Sequence, residues 1–250
     1  MNPNSVTVGA DGNIWFGSFS CTIGSITTSG TIHLHGMEDG NCIITVGAAT
    51  NAGVWFTNSA VSSTDSNTVG YITSSGSVTE FALPSSYEFN TDAQITVGPD
   101  GNLWFAADSY VGYVTPNGSA MNFYAAAPVG STHSIITGPD GNLWFEGSQV
   151  GVMNTAGQVL AEYGGDGDDD GGGFYLTTGA DGNIWVSAFS GNATLTRITP
   201  SGSTTKFALP ASESRYTPVG VTVGPDSNIW FTTYNASGEK DAKGMGTIVP

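Results

Sequence analysis

Six near-copies of one octapeptide constrain this chain more than any other feature. Gly98 to Phe105 and Gly138 to Phe145 both read GPDGNLWF, and Gly9 to Phe16 reads GADGNIWF. Gly179 to Val186 reads GADGNIWV, Gly224 to Phe231 reads GPDSNIWF, and a degraded copy runs from Gly47 to Phe56. The tryptophans therefore fall at 15, 55, 104, 144, 185 and 230. A repeat of roughly 40 to 50 residues is the period of propeller blades, not of helical repeats.

Each copy reads as a β-hairpin. A β-branched run precedes it, such as Val6-Thr7-Val8, Ile95-Thr96-Val97 or Val221-Thr222-Val223. An apolar run ending in Trp-Phe follows it. The intervening Asp-Gly-Asn suits a tight turn, because Asp and Asn tolerate positive φ and Gly has no Cβ to clash there. The tryptophans are read as core residues packed between neighbouring blades.

A third strand with its own signature follows a variable loop, as in Ile23–Thr27, Val69–Thr73, Val111–Thr115, Val150–Asn154, Leu195–Thr199 and Met245–Val249. A fourth, such as Val78–Leu83 or Thr205–Leu209, ends at Pro84 or Pro210. Four short strands in each of six units predict an all-β, six-bladed β-propeller of antiparallel blades. A shared repeat favours one closed array over two domains, since a lone blade cannot bury both faces. Residues 1–250 are thus read as one domain, with blades near 5–36, 43–84, 94–128, 134–163, 174–210 and 219–250. The last unit stops at Pro250, so its outer strand is expected to be missing. That open edge is a candidate for self-association.

The short Asp-Gly and Pro-x-Gly turns should share one end of the blades. The long second-to-third loops and blade-to-blade connections share the other, and variable loops on a rigid scaffold usually carry function. Any site is expected there. With 5 Lys+Arg against 21 Asp+Glu, the formal charge is −16. Nucleic acid and anionic membranes are poor partners for such a chain, and small cations better ones. No run is long and apolar enough to span a bilayer. Charged residues make up only 10% of the chain, which leaves solubility to Ser, Thr, Asn and Gly and fits an extracellular protein. No signal peptide is visible ahead of the first strand.

The repeated IT-x-GPDGNLWF … IG-x-IT-x-x-G … EF-x-LP pattern resembles the virginiamycin B lyase (streptogramin lyase) propellers, over nearly the whole chain. The resemblance implies a propeller, of seven blades in that family's lyases against six units here. It also implies Mg²⁺-assisted elimination that opens the ester ring of streptogramin B antibiotics, by histidines and glutamates on the loop face. That chemistry asks for Glu-x-His just before a first strand and a Glu two places after Trp-Phe. His133 takes the histidine position, but Ser131 stands two places before it. Gly147 stands two places after Phe145, with Glu146 one place early. In the other units the histidine position aligns with Asn4, Cys42, Ala93, Phe174 and Val219. The scaffold matches and the catalytic set departs, and function lives in the site.

His133 and Glu146 are the candidate acid–base pair, provided they lie within reach of each other. Asp166, Asp168 and Asp170, followed by Gly171, form the first half of a calcium-loop pattern; three carboxylates converge on one hard cation, here Ca²⁺. The bidentate Glu of a full loop is absent, Thr177 holding its place, and Glu146 or Glu162 is the candidate to complete the shell. His33 and His35 share one face of an outer strand and read as a solvated pair. Cys21 and Cys42 are expected on the same side and close together, as a disulfide of an oxidising compartment, the alternative being two buried thiols. Phe19, Tyr110, Phe174, Tyr175, Phe189 and Tyr234 crowd the irregular loops and are candidates to stack on a sugar or a flat ligand. Asn117, Asn192 and Asn235 fit the N-glycosylation pattern.

These residues point first to an extracellular, non-enzymatic binding or self-assembly module, with Ca²⁺ in the acidic loop. Its partner would be a small molecule, glycan or protein at the loop face. The alternative is a lyase-like enzyme using Mg²⁺, His133 and Glu146.

Overall fold

A computed structural model of the chain describes residues 2–37, 42–51, 53–61, 66–127, 129–164, 175–187, 194–209, 216–235 and 244–250. β-Strand is the only regular secondary structure among them. No helix is long and apolar enough to cross a membrane.

Twenty-three strands form six antiparallel sheets. Blade one holds β1 (Pro3–Val8), β2 (Ile14–Ser18), β3 (Thr22–Ile26) and β4 (Ile32–Gly36). Blade two holds β5 (Cys42–Thr50), β6 (Gly53–Ala60), β7 (Thr68–Ile72) and β8 (Val78–Ala82). Blade three holds β9 (Ile95–Val97), β10 (Leu103–Ala107), β11 (Tyr110–Val114) and β12 (Met121–Ala125). In blade four these are β13 (Ser134–Thr137), β14 (Leu143–Glu146), β15 (Gln149–Met153) and β16 (Val159–Gly164). In blade five they are β17 (Tyr175–Thr178), β18 (Ile184–Ser187), β19 (Thr194–Ile198) and β20 (Thr204–Ala208). Blade six has three strands, β21 (Tyr216–Val223), β22 (Ile229–Asn235) and β23 (Gly244–Ile248). The fold class is an all-β, six-bladed β-propeller with a three-stranded last blade. The chain divides into two compact units, Met1–Ala127 with blades one to three and Pro128–Pro250 with blades four to six.

The octapeptide makes each first hairpin in the same way. In blade four Gly138 N–H donates to Asn142 O, and Gly141 turns the chain with φ 74°. The Asp140 carboxylate accepts from the Asn142 amide and side chain, and from the Trp144 indole at 3.0 Å. Gly138 is required because a Cβ there would strike the Trp144 indole. The same Asp-to-indole bond recurs at Asp11, Asp100, Asp181 and Asp226. In blade two, which lacks the Asp, Thr50 Oγ1 accepts from Trp55 at 3.1 Å.

Four of the indoles fill the spaces between neighbouring blades. Trp15 packs with Ile44, Val46, Val54 and Phe56 of blade two, and Trp55 with Leu103 and Phe105 of blade three. Trp144 packs with Ile184 and Val186 of blade five, and Trp185 with Ile229 and Phe231 of blade six. Removing a buried indole costs about 3–5 kcal/mol. The phenylalanine after each indole lies over a third-strand glycine: Phe16 over Gly24, Phe56 over Gly70, Phe105 over Gly112, Phe145 over Gly151 and Phe231 over Gly246. In blade five both members change, Val186 facing Thr196.

Blade two corrects one alignment. Its longer turn shifts β5, so that Val46 pairs with Phe56 as Ile95 pairs with Phe105 in blade three. Ile44, not Cys42, thus occupies the position equivalent to His133. The Ile44 carbonyl lies against Gly17, as the Ala93 carbonyl lies against Thr57.

Candidate functional site

Hydroxyl groups stitch one blade to the next at the loop ends of the inner strands. Thr57 Oγ1 donates to Ala93 O at 2.6 Å, and Ser187 Oγ donates to Val219 O. Ser59 Oγ donates to Asn90 O at 2.9 Å. The Val46 amide donates to Ser5 Oγ at 2.9 Å, and in the equivalent place the Leu176 amide donates to Ser134 Oγ at 3.3 Å. These polar groups sit in the interior because each is paired.

Glu146 stands in this row. It follows Phe145 as Thr57 follows Phe56 and Ser187 follows Val186, and it is 0% exposed. Ser134 faces it across the β13–β14 ladder and Val150 faces it from β15. His133 is brought beside it: the His133 amide donates to Glu146 O at 3.3 Å. Thr132 and Ser134, on either side of His133, are both fully buried. The fold therefore joins the two residues that the sequence proposed as a pair, but it turns the carboxyl into the interior.

Cys21 and Cys42 are disulfide-bonded, with Cα atoms 4.9 Å apart. The Cys21 amide also donates to Cys42 O at 3.1 Å, so the bridge reinforces an existing backbone contact between blades one and two. Phe19, on the same loop, is 46% exposed. Tyr110 is half-buried and meets Tyr87 edge-on, their centroids 4.9 Å apart; Tyr87 in turn stacks on Phe123. Tyr175 is half-buried at the start of β17. Tyr234 lies in β22, its side chain outside the described set, and Phe174 and Phe189 lie outside the described residues, as do Asp166, Asp168 and Asp170. His33 is exposed on β4, while His35 stacks on Trp15 with centroids 6.0 Å apart.

The fit of a divalent cation is decided by the donors. Among the described residues no three His, Cys, Asp or Glu side chains come close enough to hold one. Glu146 is buried, His133 has Thr132 and Ser134 as its neighbours, and Glu162 is exposed on β16. The described residues do not form the Mg²⁺ site that the resemblance implies.

Two features carried no sequence expectation. Arg197 lies over both the Trp185 and Phe207 rings, 5.9 and 5.5 Å from their centroids, and pairs with Asp181 at 3.9 Å. It substitutes a cation for the Tyr71 and Tyr113 that lie beside Trp55 and Trp104 in blades two and three. The described residues also line clefts, two of which stand out. One of about 460 Å³ opens at the turn end between blades one and two, lined by Asp11, Trp15, Thr50, Asn51 and Thr73. The other, of about 360 Å³, is apolar and runs along β23, lined by Leu195, Phe207, Leu209, Met245 and Ile248.

Comparison with known proteins places this scaffold. The virginiamycin B lyase from Staphylococcus aureus superposes with a TM-score of 0.79 at 26% identity, over 99% of this chain and 84% of that one. A streptogramin B lyase structure superposes with a TM-score of 0.75 at 26% identity, over 92% of this chain and 75% of that one. A catalytically inactive variant of the Staphylococcus aureus virginiamycin B lyase, with Quinupristin, shares the fold, with a TM-score of 0.78 at 23% identity over 98% of this chain and 83% of that one. No curated protein matches the sequence. The sequence model of the virginiamycin B lyase family matches residues 1–164, and with more than half of its length so matched, the chain belongs to that family.

Proposed function

We propose that this chain is an extracellular, non-enzymatic member of the family that binds a small molecule at the loop end of its blades. One observation carries the reading. Glu146, the carboxylate best placed to act beside His133, is 0% exposed and fills the position where Thr57 and Ser187 fasten one blade to the next. A buried group in that row serves the scaffold, and a general base must reach the proton it takes. Quinupristin, which the related lyase variant accompanies, is the natural first probe. The disulfide between Cys21 and Cys42 fits an oxidising, extracellular setting.

The test is binding and turnover measured together. Calorimetric titration with quinupristin should give a saturable heat, and chromatography of the same mixture should return the intact ring, with and without Mg²⁺. Accumulation of a ring-opened product overturns the reading, and so does the absence of any heat.

The second reading is a lyase, favoured by the backbone bond that sets His133 beside Glu146. On that reading ring opening occurs and His133→Ala abolishes it while leaving the melting temperature in place.

A further inference from the structure

Blades one and two both depart from the repeat at the turn-end cleft of about 460 Å³ between them. In blade two the β5–β6 ladder runs on past the usual turn, to Thr50 paired with Gly53, and Thr50, Asn51 and Gly53 line the cleft. Ala10 and Asp11 line it from blade one, and Thr73 and Ser74 line it just after β7. Trp15, Val54 and Ile72, each at most 2% exposed, close its floor. In blade one the departure is Ser25. It pairs with Trp15 across the β2–β3 ladder, where Tyr71 pairs with Trp55, Tyr113 with Trp104, Val152 with Trp144 and Arg197 with Trp185. Residues opposite each other in a ladder share a face, so this small side chain stands beside the indole, on the face of blade one that is turned to blade two. Ser25 is 4% exposed, and its hydroxyl has no hydrogen-bond partner among the described residues. A buried polar group left without a protein partner marks a place where something else answers it.

The lining sorts the ligands that suit this cleft. Among the described residues that line it, Asp11 alone is charged, and no cationic side chain is present. An anion would therefore meet a carboxylate and nothing to balance it. A cation gains little, because the Asp11 oxygens already accept from the Asn13 amide, the Asn13 side chain and the Trp15 indole, at 2.9–3.3 Å. What remains is neutral. The Asn51 amide and the Ser74 hydroxyl are exposed and make no hydrogen bond to the described residues. Amides and hydroxyls both donate and accept, as the hydroxyls of a sugar do. Ala10, Thr50 and Thr73 add methyl carbon to the same lining, to match the C–H groups of a sugar ring.

We propose that this cleft binds a neutral saccharide, with Asn51 and Ser74 taking its hydroxyls. At about 460 Å³ the cleft falls within the range of about 300–1,000 Å³ of small-molecule sites and holds a mono- or disaccharide. Both departures from the repeat serve it. The longer hairpin supplies Asn51, and Ser25 leaves the neighbourhood of Trp15 without the ring that Tyr71 and Tyr113 place beside their indoles. Local exceptions to a consistent pattern are expected where a chain carries function. The site lies at the turn end, so the inference does not depend on the loop-end ligand reading above.

Nuclear magnetic resonance of the isotopically labelled full chain tests it, because the Trp15 and Trp55 indole N–H groups donate to Asp11 and Thr50, both of which line the cleft. The probes are glucose, galactose, mannose, N-acetylglucosamine, maltose and lactose. At least one should shift these two indole signals saturably at millimolar concentration and leave the remaining indole signals in place. Asn51→Ala combined with Ser74→Ala alters exposed side chains, so that variant should melt as the wild type does. It should bind the same sugar about tenfold more weakly or worse, through the loss of two hydrogen bonds. Ser25→Tyr should place a ring beside Trp15 and abolish the shifts; if it fails to fold, the Asn51 and Ser74 variant carries the comparison. The proposal is overturned if none of the sugars gives a saturable shift, or if all the indole signals move together. It is equally overturned by an Asn51 and Ser74 variant that binds like the wild type, or by a stronger response of the same two signals to Ca²⁺ or sulfate than to any sugar.

Discussion

The Trp144 indole N–H donates to the Asp140 carboxylate at 3.0 Å, closing the turn over which Asn142 donates to the same group. One carboxylate thus fixes the shape of a hairpin and the direction of a core side chain. Asp140→Ala should lower stability by about 1–2 kcal/mol, in the lower part of the range for bonds to a charged group because Asp140 is exposed. Asp140→Asn keeps an acceptor and should cost about half as much. Urea unfolding midpoints measure both.

The same clasp makes the protein sensitive to acid. At Asp140 and Asp181 burial pushes the carboxyl up, but the bonds from the following Asn and from the indole outweigh it and hold it below the ordinary 3.8. Asp11 behaves alike, and at Asp226 the bond from Trp230 leads. A lowered folded value means that the ionised form is the one the fold favours. The stability is therefore complete above the ordinary carboxylate value and is lost as pH falls below it, through the lowered folded values. Melting temperature should be flat from neutrality to about pH 4.5 and drop below that. Asp140→Ala should flatten the drop.

Ser227 stands where four other turns place glycine, and its φ is 66°. A Cβ in the left-handed region costs about 1 kcal/mol, partly returned by the lower entropy of the unfolded chain. Ser227→Gly should therefore stabilise the first hairpin of blade six by about 0.5 kcal/mol or slightly more. Equilibrium unfolding or hydrogen exchange in β21 and β22 detects it.

The Cys21–Cys42 bridge closes a loop with a sequence separation of 21. Reduction should cost about 3 kcal/mol on the chain-entropy account. Denaturation with and without reductant measures it, and Cys21→Ser with Cys42→Ser should match the reduced protein.

The architecture was legible because it is written six times. Asp-Gly-Asn, Trp-Phe and the third-strand pattern each name a local element, and their spacing names the repeat. Blade two resisted because its degraded turn hides a shift: only the pairing of Val46 with Phe56 shows that Ile44, not Cys42, answers to His133. The adjacency of His133 and Glu146 followed from aligning first hairpins. The burial of Glu146 did not, since burial depends on which neighbouring groups cover a residue. The hydroxyl stitches at Thr57 and Ser187 escaped notice because Ser and Thr are abundant and a single one carries no signal. The Asp-to-indole bond had a signal, an Asp four residues before five of the six tryptophans, but the turn alone already explained that Asp.

Phe16, Phe56, Phe105, Phe145 and Phe231 each occupy the space that a glycine leaves, while blade five sets Val186 opposite Thr196. The volume there has been redistributed across the ladder without altering its sum. Such duplicated modules can drift only by paired exchange at this spot. Either half-step, a side chain at Gly151 or a valine at Phe145, would pass through an overfilled or hollow intermediate. The fifth module thus stands on one side of that barrier and the other five on the opposite side.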